Sequence, residues 1–193
     1  MRIAGLVLAG GLSSRMAPRN KLLESVGGET MVRRVATVAL AGGAQPVIVV
    51  TGHEAASVAA SLRGLAVAIV VNPYYADGLS TSLRAGLRAL PAGIDGALIL
   101  LGDMPGVETS VLTALMAAFT GPAAIRAPVR QGRRGNPVLW GSAYFAEMMG
   151  LTGDSGAKSL MARHEEHLME VEVATDGIFE DVDLPEDLAR LKR

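Results

Sequence analysis

The chain contains no cysteine. Disulfides, thiolate metal sites and a cysteine nucleophile are therefore excluded. Basic charge is not in excess either: 18 Lys and Arg stand against 19 Asp and Glu, a formal net charge of -1, with no long run of like charge. A nucleic-acid-binding surface shows as a basic surplus, so no nucleic acid is expected as a partner. Long hydrophobic runs are missing as well. The apolar N-terminus is broken by Gly10-Gly11 after about seven residues, too soon for a signal peptide, and nothing later approaches the roughly 20 uncharged apolar residues of a membrane span. A cytoplasmic protein with no membrane partner is the expectation. The three histidines, His53, His164 and His167, lie in no partner motif, which suits surface or helix-end positions better than catalysis.

What is present is a large apolar fraction, 50% of 193 residues, enough for one substantial core and short for two. One domain, residues 1–193, is expected. Apolar strand-like runs occur at 2–8, 46–51, 67–71, 96–101, 123–128, 137–140 and 168–174, most of them continuous, as in strands covered on both faces. Amphipathic segments fall between them, at 30–41, 54–62, 80–90, 108–119, 143–149, 155–164 and 185–192. Leu79, Leu83, Leu87 and Leu90 share one face of the third, which predicts packing on a sheet. This alternation predicts a three-layer α/β, Rossmann-like fold with a mostly parallel twisted sheet.

Ligands of such sheets sit beyond the carboxyl ends of the strands. The unusual polar clusters follow strands directly: 9–21 after the first, 72–78 after the third, and Gly102-Asp103 after the fourth. In the first cluster, paired glycines let backbone N–H groups approach phosphate oxygens. Ser13 and Ser14 add neutral donors, and Arg15 and Lys21 add positive charge. A Walker A loop would need glycine directly before Lys-Ser or Lys-Thr, whereas Lys21 lies between Asn20 and Leu22. A dinucleotide fingerprint would need a third glycine beyond Gly10-Gly11. Asp103 ends an apolar strand at the ligand edge, where a carboxylate facing a triphosphate suits magnesium, although a helix-capping or turn role is open to it. Asp181 and Asp183 precede Pro185 and can supply a second metal ligand or cap the last helix.

The set Leu8-Ala9-Gly10-Gly11-x-Ser13-Ser14-Arg15-Met16, Lys21-Leu22-Leu23, Asn72-Pro73, Gly78-x-Ser80-x-Ser82-Leu83, Gly102-Asp103-Met104-Pro105, Gly135-Asn136-Pro137-Val138, Gly153 to Ala157 and Asp183-Leu184-Pro185-Glu186-Asp187 resembles the molybdenum cofactor nucleotidyltransferases. Within that group it looks most like the cytidylyltransferases. The resemblance runs from about residue 3 to 191. It implies that Leu8, Ala9, Gly10, Gly11, Ser13, Arg15, Lys21 and Asn72 hold nucleotide and phosphates, and that Gly78, Ser80 and Ser82 line the base and ribose pocket. Asp103 and Asp183 would hold Mg2+. Arg133, Arg134, Asn136, Asp154 and Lys158 would meet the molybdopterin, with Arg126 and Arg130 enlarging a basic patch.

Two departures stand out. Ala9-Gly10-Gly11 has the guanylyl rather than the cytidylyl pattern, and Ala17-Pro18 stands where a glycine commonly follows Arg-Met. The implied reaction joins the terminal phosphate of molybdopterin to the α-phosphate of CTP, with Arg15, Lys21 and Asp103 as catalytic groups. GTP in place of CTP, another small-molecule cytidylyltransferase, and a non-enzymatic chaperone handing cofactor to a molybdenum hydroxylase are the alternatives. Tyr74 and Tyr75 can stack on a ring or serve as half-buried anchors, and Trp140 reads as core.

Overall fold

The computed structural model describes residues 1–16, 18–154 and 157–191, with no side-chain description for Ser14, Lys158 and Leu191. The apolar run ahead of the glycines forms β1 (Ile3–Ala9), and all its residues are buried. After the glycine loop, β2 (Ser25–Val26) and β3 (Glu29–Thr30) make a small antiparallel hairpin that leads into α1 (Met31–Ala41). Then follow β4 (Val47–Thr51), α2 (Ala55–Ser61), β5 (Val67–Val71), α3 (Leu79–Arg88), β6 (Gly96–Leu101) and α4 (Thr109–Ala117). The remainder is β7 (Ile125–Arg130), β8 (Arg133–Arg134), β9 (Val138–Gly141), α5 (Phe145–Met148), α6 (Lys158–Arg163), β10 (Leu168–Glu172) and α7 (Pro185–Leu191). No helix among the described residues is long and apolar enough to cross a membrane.

The main sheet has the order β10-β7-β9-β6-β1-β4-β5, with β8 pairing β7 at its side. β1 pairs in parallel with β4 and β6, and β4 pairs in parallel with β5. The carboxyl ends of these four strands therefore lie at one edge. β9 runs antiparallel to both β6 and β7, so the sheet is mixed rather than wholly parallel.

Alternation along β1 builds the two cores. Ile3, Val7 and Ala9 face one side, where α1, α2 and α4 cover them with Val35, Val58 and Leu112. Leu6 and Leu8 face the other, under α3, α5 and α6. The leucine stripe of α3 lies where its spacing requires: Leu83 and Leu87 are 1% and 7% exposed, and Leu79 and Leu90 pack on the same cluster. Truncating Leu83 to alanine would cost about 2–5 kcal/mol, the usual range for a buried leucine. A third cluster of Met16, Val26, Met31, Val182 and Leu188 ties the end of the glycine loop to the C-terminal segment.

Burial on both faces fails at the sheet margins. β5 is an edge strand whose Ile69 and Val71 are 40% and 60% exposed, although its sequence is as apolar as that of β1. Apolar continuity reports β propensity as well as burial, and only the number of neighbouring strands separates the two.

Candidate active site

Backbone geometry after β1 aims Lys21 into the cleft. Asn20 caps the short turn Lys21–Leu23, its Oδ1 accepting the Leu22 N–H at 3.1 Å. The Ser13 hydroxyl donates to the same Asn20 oxygen and accepts the Lys21 N–H, both at 3.3 Å. Ser13 takes a left-handed conformation, φ 52°, which lets the loop close on itself. With its base so fixed, the Lys21 side chain is only 12% exposed, and its Nζ donates to Asp103 Oδ2 at 2.6 Å and to Asp183 Oδ1 at 2.8 Å. Arg15 pairs with the other oxygen of Asp183. The Val182 N–H donates to the backbone carbonyl of Asp103 at 3.0 Å, clamping the two aspartate segments together.

Charge balances within this cluster, two cations against two anions. Burial pulls the Lys21 ammonium downward, but Asp103 and Asp183 outweigh it and hold its pKa above the ordinary lysine value. The hydrogen bond from Lys21 is the main reason that the Asp183 carboxyl lies below the usual carboxylate range. Partial burial opposes it, and the charges of Lys21 and Arg15 add to it. Asp187, not Asp183, does the capping: its Oδ2 accepts the N–H groups of Asp183 and Leu184 at 3.2 and 2.9 Å. Asp183 is thereby freed for the cleft.

Two carboxylate oxygens that already converge on one ammonium also suit a single divalent cation. Among the described residues no group of three or more His, Asp or Glu side chains gathers. Such a pair fits an ion like magnesium, which takes its remaining ligands from phosphate and water rather than from a protein cage.

Two adjoining cavities open at this edge. One, of about 320 Å³, is lined by Gly10, Gly11, Lys21, Gly78, Ser82 and Asp103, so the loops after β1, β5 and β6 do converge. The other, of about 350 Å³, is lined by Arg133, Asn136, Trp140, Met161, Phe179 and Asp181 among others. Leu8, Leu79, Leu101 and Asp154 border both. Gly78 joins them by close approach: its φ is +104°, and a Cβ there would lie 2.7 Å from the Gly153 carbonyl carbon. Across that contact, Asp154 Oδ1 accepts the Leu79 N–H at 3.1 Å and the Gly153 carbonyl accepts the Ser80 N–H, also at 3.1 Å.

A Rossmann-like mixed sheet with a glycine loop and an acid pair at its carboxyl edge defines a nucleotidyltransferase enzyme. Residues 5–168 match the MobA-like NTP transferase domain, and the chain belongs to that family. The solved nucleotidyl transferase from Methanothermobacter thermautotroptrophicus is similar at TM-score 0.87 and 28% identity, over 99% of this chain and 96% of that one. The manganese complex of Rv0371c from Mycobacterium tuberculosis H37Rv gives TM-score 0.78 at 27% identity, over 100% and 98% of the two chains. The nicotine blue oxidoreductase of Paenarthrobacter nicotinovorans is 27% identical over 197 residues, 98% of this chain and 96% of its own. Its name denotes another reaction class, and the family match is what applies to this chain.

The structure redistributes several residues that the sequence grouped together. Ser80 is fully buried and lines neither cavity, and its Oγ finds no partner among the described residues. Helix geometry turns it away from the face that Ser82 presents. Asn72 is buried too and acts as scaffold, its amide donating to Thr81 Oγ1 and Ser82 Oγ at 2.8 and 3.1 Å. Arg126 does not belong to a basic patch: it is 5% exposed, and its guanidinium donates to Ala118 O, Ile125 O and Thr120 Oγ1. Arg130 pairs with Asp176 and Arg134 with Glu170 and Glu165, which leaves Arg133, stacked 4.3 Å from the Phe179 ring centroid, without an acidic partner among the described residues. Ala17, Ser155 and Gly156 lie outside the described residues, as does the Lys158 side chain. Tyr75 lines the first cavity and Tyr74 is exposed, while Trp140 is buried. Sequence reasoning missed Asn20, whose signal was a side-chain acceptor just before a short apolar turn, and Phe179, for which no local signal exists.

Proposed function

We propose that the whole chain, 1–193, is one nucleotidyltransferase domain that moves CMP from CTP onto the terminal phosphate of molybdopterin and releases pyrophosphate. The observation that carries this reading is the Lys21 ammonium, held by Asp103 and Asp183 in a cleft where a glycine loop meets a second cavity bordered by Arg133 and Asn136. An oxygen of the acceptor phosphate forms the new bond to the α-phosphorus as the bond to the β-phosphate oxygen breaks. The attacking group is already anionic, so no serine or histidine nucleophile is needed. The work lies in screening and aligning two anions.

Gly10 and Gly11 offer backbone N–H groups to the phosphates, and Ser82 and Gly78 border the nucleoside. Ser13 serves by fixing the loop, and Asp154 by seating α3 beside the acceptor. Lys21 and Arg15 swing their charge onto the departing pyrophosphate, and Arg133 and Asn136 receive the acceptor. Asp103 and Asp183 would hold Mg2+, whose chemistry is to neutralise phosphate charge as a Lewis acid. A cytoplasmic setting and hand-over to a molybdenum hydroxylase belong to the same reading.

A second reading, GTP in place of CTP, rests on Ala9-Gly10-Gly11, which has the guanylyl form of the loop. Pyrophosphate release measured with CTP, GTP and ATP, each with Mg2+ and molybdopterin, decides between them. Turnover with CTP, abolished in Asp103→Asn with the fold retained, is the expected outcome. Intact pterin binding without turnover on any nucleotide would sink the reading.

A further inference from the structure

The two edges of the main sheet differ in how they are closed to other strands. β10 carries Glu170 and Glu172, and charge on an edge strand opposes pairing with a further one. β5 has no such guard: residues 64–76 are uncharged, and no proline or glycine interrupts Leu65 to Val71. Its only pairing is with β4. The Asn72 N–H donates to the Thr51 carbonyl at 2.8 Å, so alternation turns the backbone groups of Ile69 and Val71 away from β4. Neither residue has a hydrogen bond on that side among the described residues. Both side chains lie on the same face as Val67, beyond the cover of α2, and both are exposed. On the other face α3 packs chiefly over β1 and β4, so the edge is open.

Unpaired N–H and C=O groups along a sheet edge are completed by another strand. Charge selects which one. Arg63 and Asp77 bound the uncharged stretch, both exposed and neither with a side-chain hydrogen bond or ion pair among the described residues. They stand seven residues to either side of Val70. An antiparallel copy of the same strand, related by a two-fold axis at Val70, therefore sets each Arg63 toward the other copy's Asp77. The same axis places Ile69 opposite the other copy's Val71, in hydrogen-bonded positions of the ladder, and gathers their exposed side chains on one face. We propose that β5 is a homodimer interface, across which two copies of this chain join their sheets edge to edge by antiparallel pairing about Val70. An isologous contact of this kind closes after two subunits and leaves the charged β10 edges outermost. The loop 72–78, which brings Tyr75 to the first cavity, starts at the interface. The pairing does not depend on which reaction the cleft carries out.

Sedimentation equilibrium of the full chain at about 100 μM, above a micromolar Kd, should return twice the 20.0 kDa of one chain. Val71→Lys, at a position exposed in the single chain, sets like charges across the axis and should return the mass of one chain with the circular dichroism of wild type. Arg63→Asp and Asp77→Arg should each weaken the dimer about 10-fold, because the axis counts every pair twice. Combining them restores opposite charges, so the double variant should recover wild-type dimerisation. Position 70 supplies a second readout. The chain has no cysteine, so Val70→Cys can cross-link only to its own copy. Facing positions that are not hydrogen-bonded lie about 4.5 Å apart between Cα atoms, within disulfide reach. Val70→Cys should oxidise to a covalent dimer under conditions that leave Ala143→Cys, exposed elsewhere, a single chain. A monomeric wild type, a dimer that survives Val71→Lys, a double reversal that fails to restore it, or no cross-link at position 70 would overturn the proposal.

Discussion

Replacing Lys21 with methionine keeps most of the buried stem and removes the one charge shared by Asp103 and Asp183. Breaking a fully buried ion pair costs about 3–5 kcal/mol, because the remaining charge has no partner. Here the carboxylates are 21% and 35% exposed and can rehydrate, so about 1–3 kcal/mol is the expected loss after allowing for solvent screening. At about 2–4 °C per kcal/mol for a chain of this size, differential scanning calorimetry resolves that change. The catalytic effect should be larger. Losing a preorganised charge at a developing anion costs about 100- to 1000-fold in kcat, about 2.7–4 kcal/mol of barrier. Adding Asp183→Asn removes the repulsion between the two carboxylates, which the exposed Arg15 on Asp183 offsets only in part, so the double variant should regain stability while remaining inactive. Such opposite responses are what a double-mutant cycle detects. A Lys21→Met protein with kcat within a few-fold of wild type would refute the assignment, and a double variant no more stable than the single would refute the electrostatic account.

Stability should depend on pH through the same cluster. Asp183 titrates below its unfolded value, so its contribution is present above about pH 4 and is lost as pH falls through the lowered folded pKa. Lys21 titrates above its unfolded value, so its contribution is complete below about pH 10 and is lost as pH rises through the raised folded pKa. The gap in urea midpoint between wild type and Asp183→Asn should therefore narrow as the pH falls, and a gap that stays constant or widens in acid would contradict this. Gly78→Ala combines a positive φ with a Cβ 2.7 Å from the Gly153 carbonyl carbon. It should cost about 1–3 kcal/mol and raise the KM for nucleotide by unseating α3 from Asp154, and an unchanged melting temperature would disprove the close-approach argument.

Much of this site could be read in order along the chain. Gly10-Gly11 after an apolar run, Asp103 ending another, and the leucine spacing of α3 each express a local rule, in which the residue types within a few positions set the backbone and the buried face. Parallel strands then bring the loops to one edge. Side-chain partners follow no such rule. Arg126, Arg130, Arg133 and Arg134 look like one basic patch, yet one is buried on carbonyl oxygens, two are neutralised by acids, and one stacks on a ring. Ser80 and Ser82 look equivalent, yet a helix separates them by about 200°, and only Ser82 reaches a cavity.

The amino-acid order alone determined the alternating α/β plan, the phosphate-suited loop and the position of Asp103 at the ligand edge, because strand and helix periodicities are local. Only the tertiary structure decided that Asp183 joins Lys21, that Asp181 lines the other cavity, and that Asp187 does the capping. Those choices depend on contacts across 82 and 162 residues of chain, where burial of Val182 and the shared ammonium select one arrangement among several that the sequence permits.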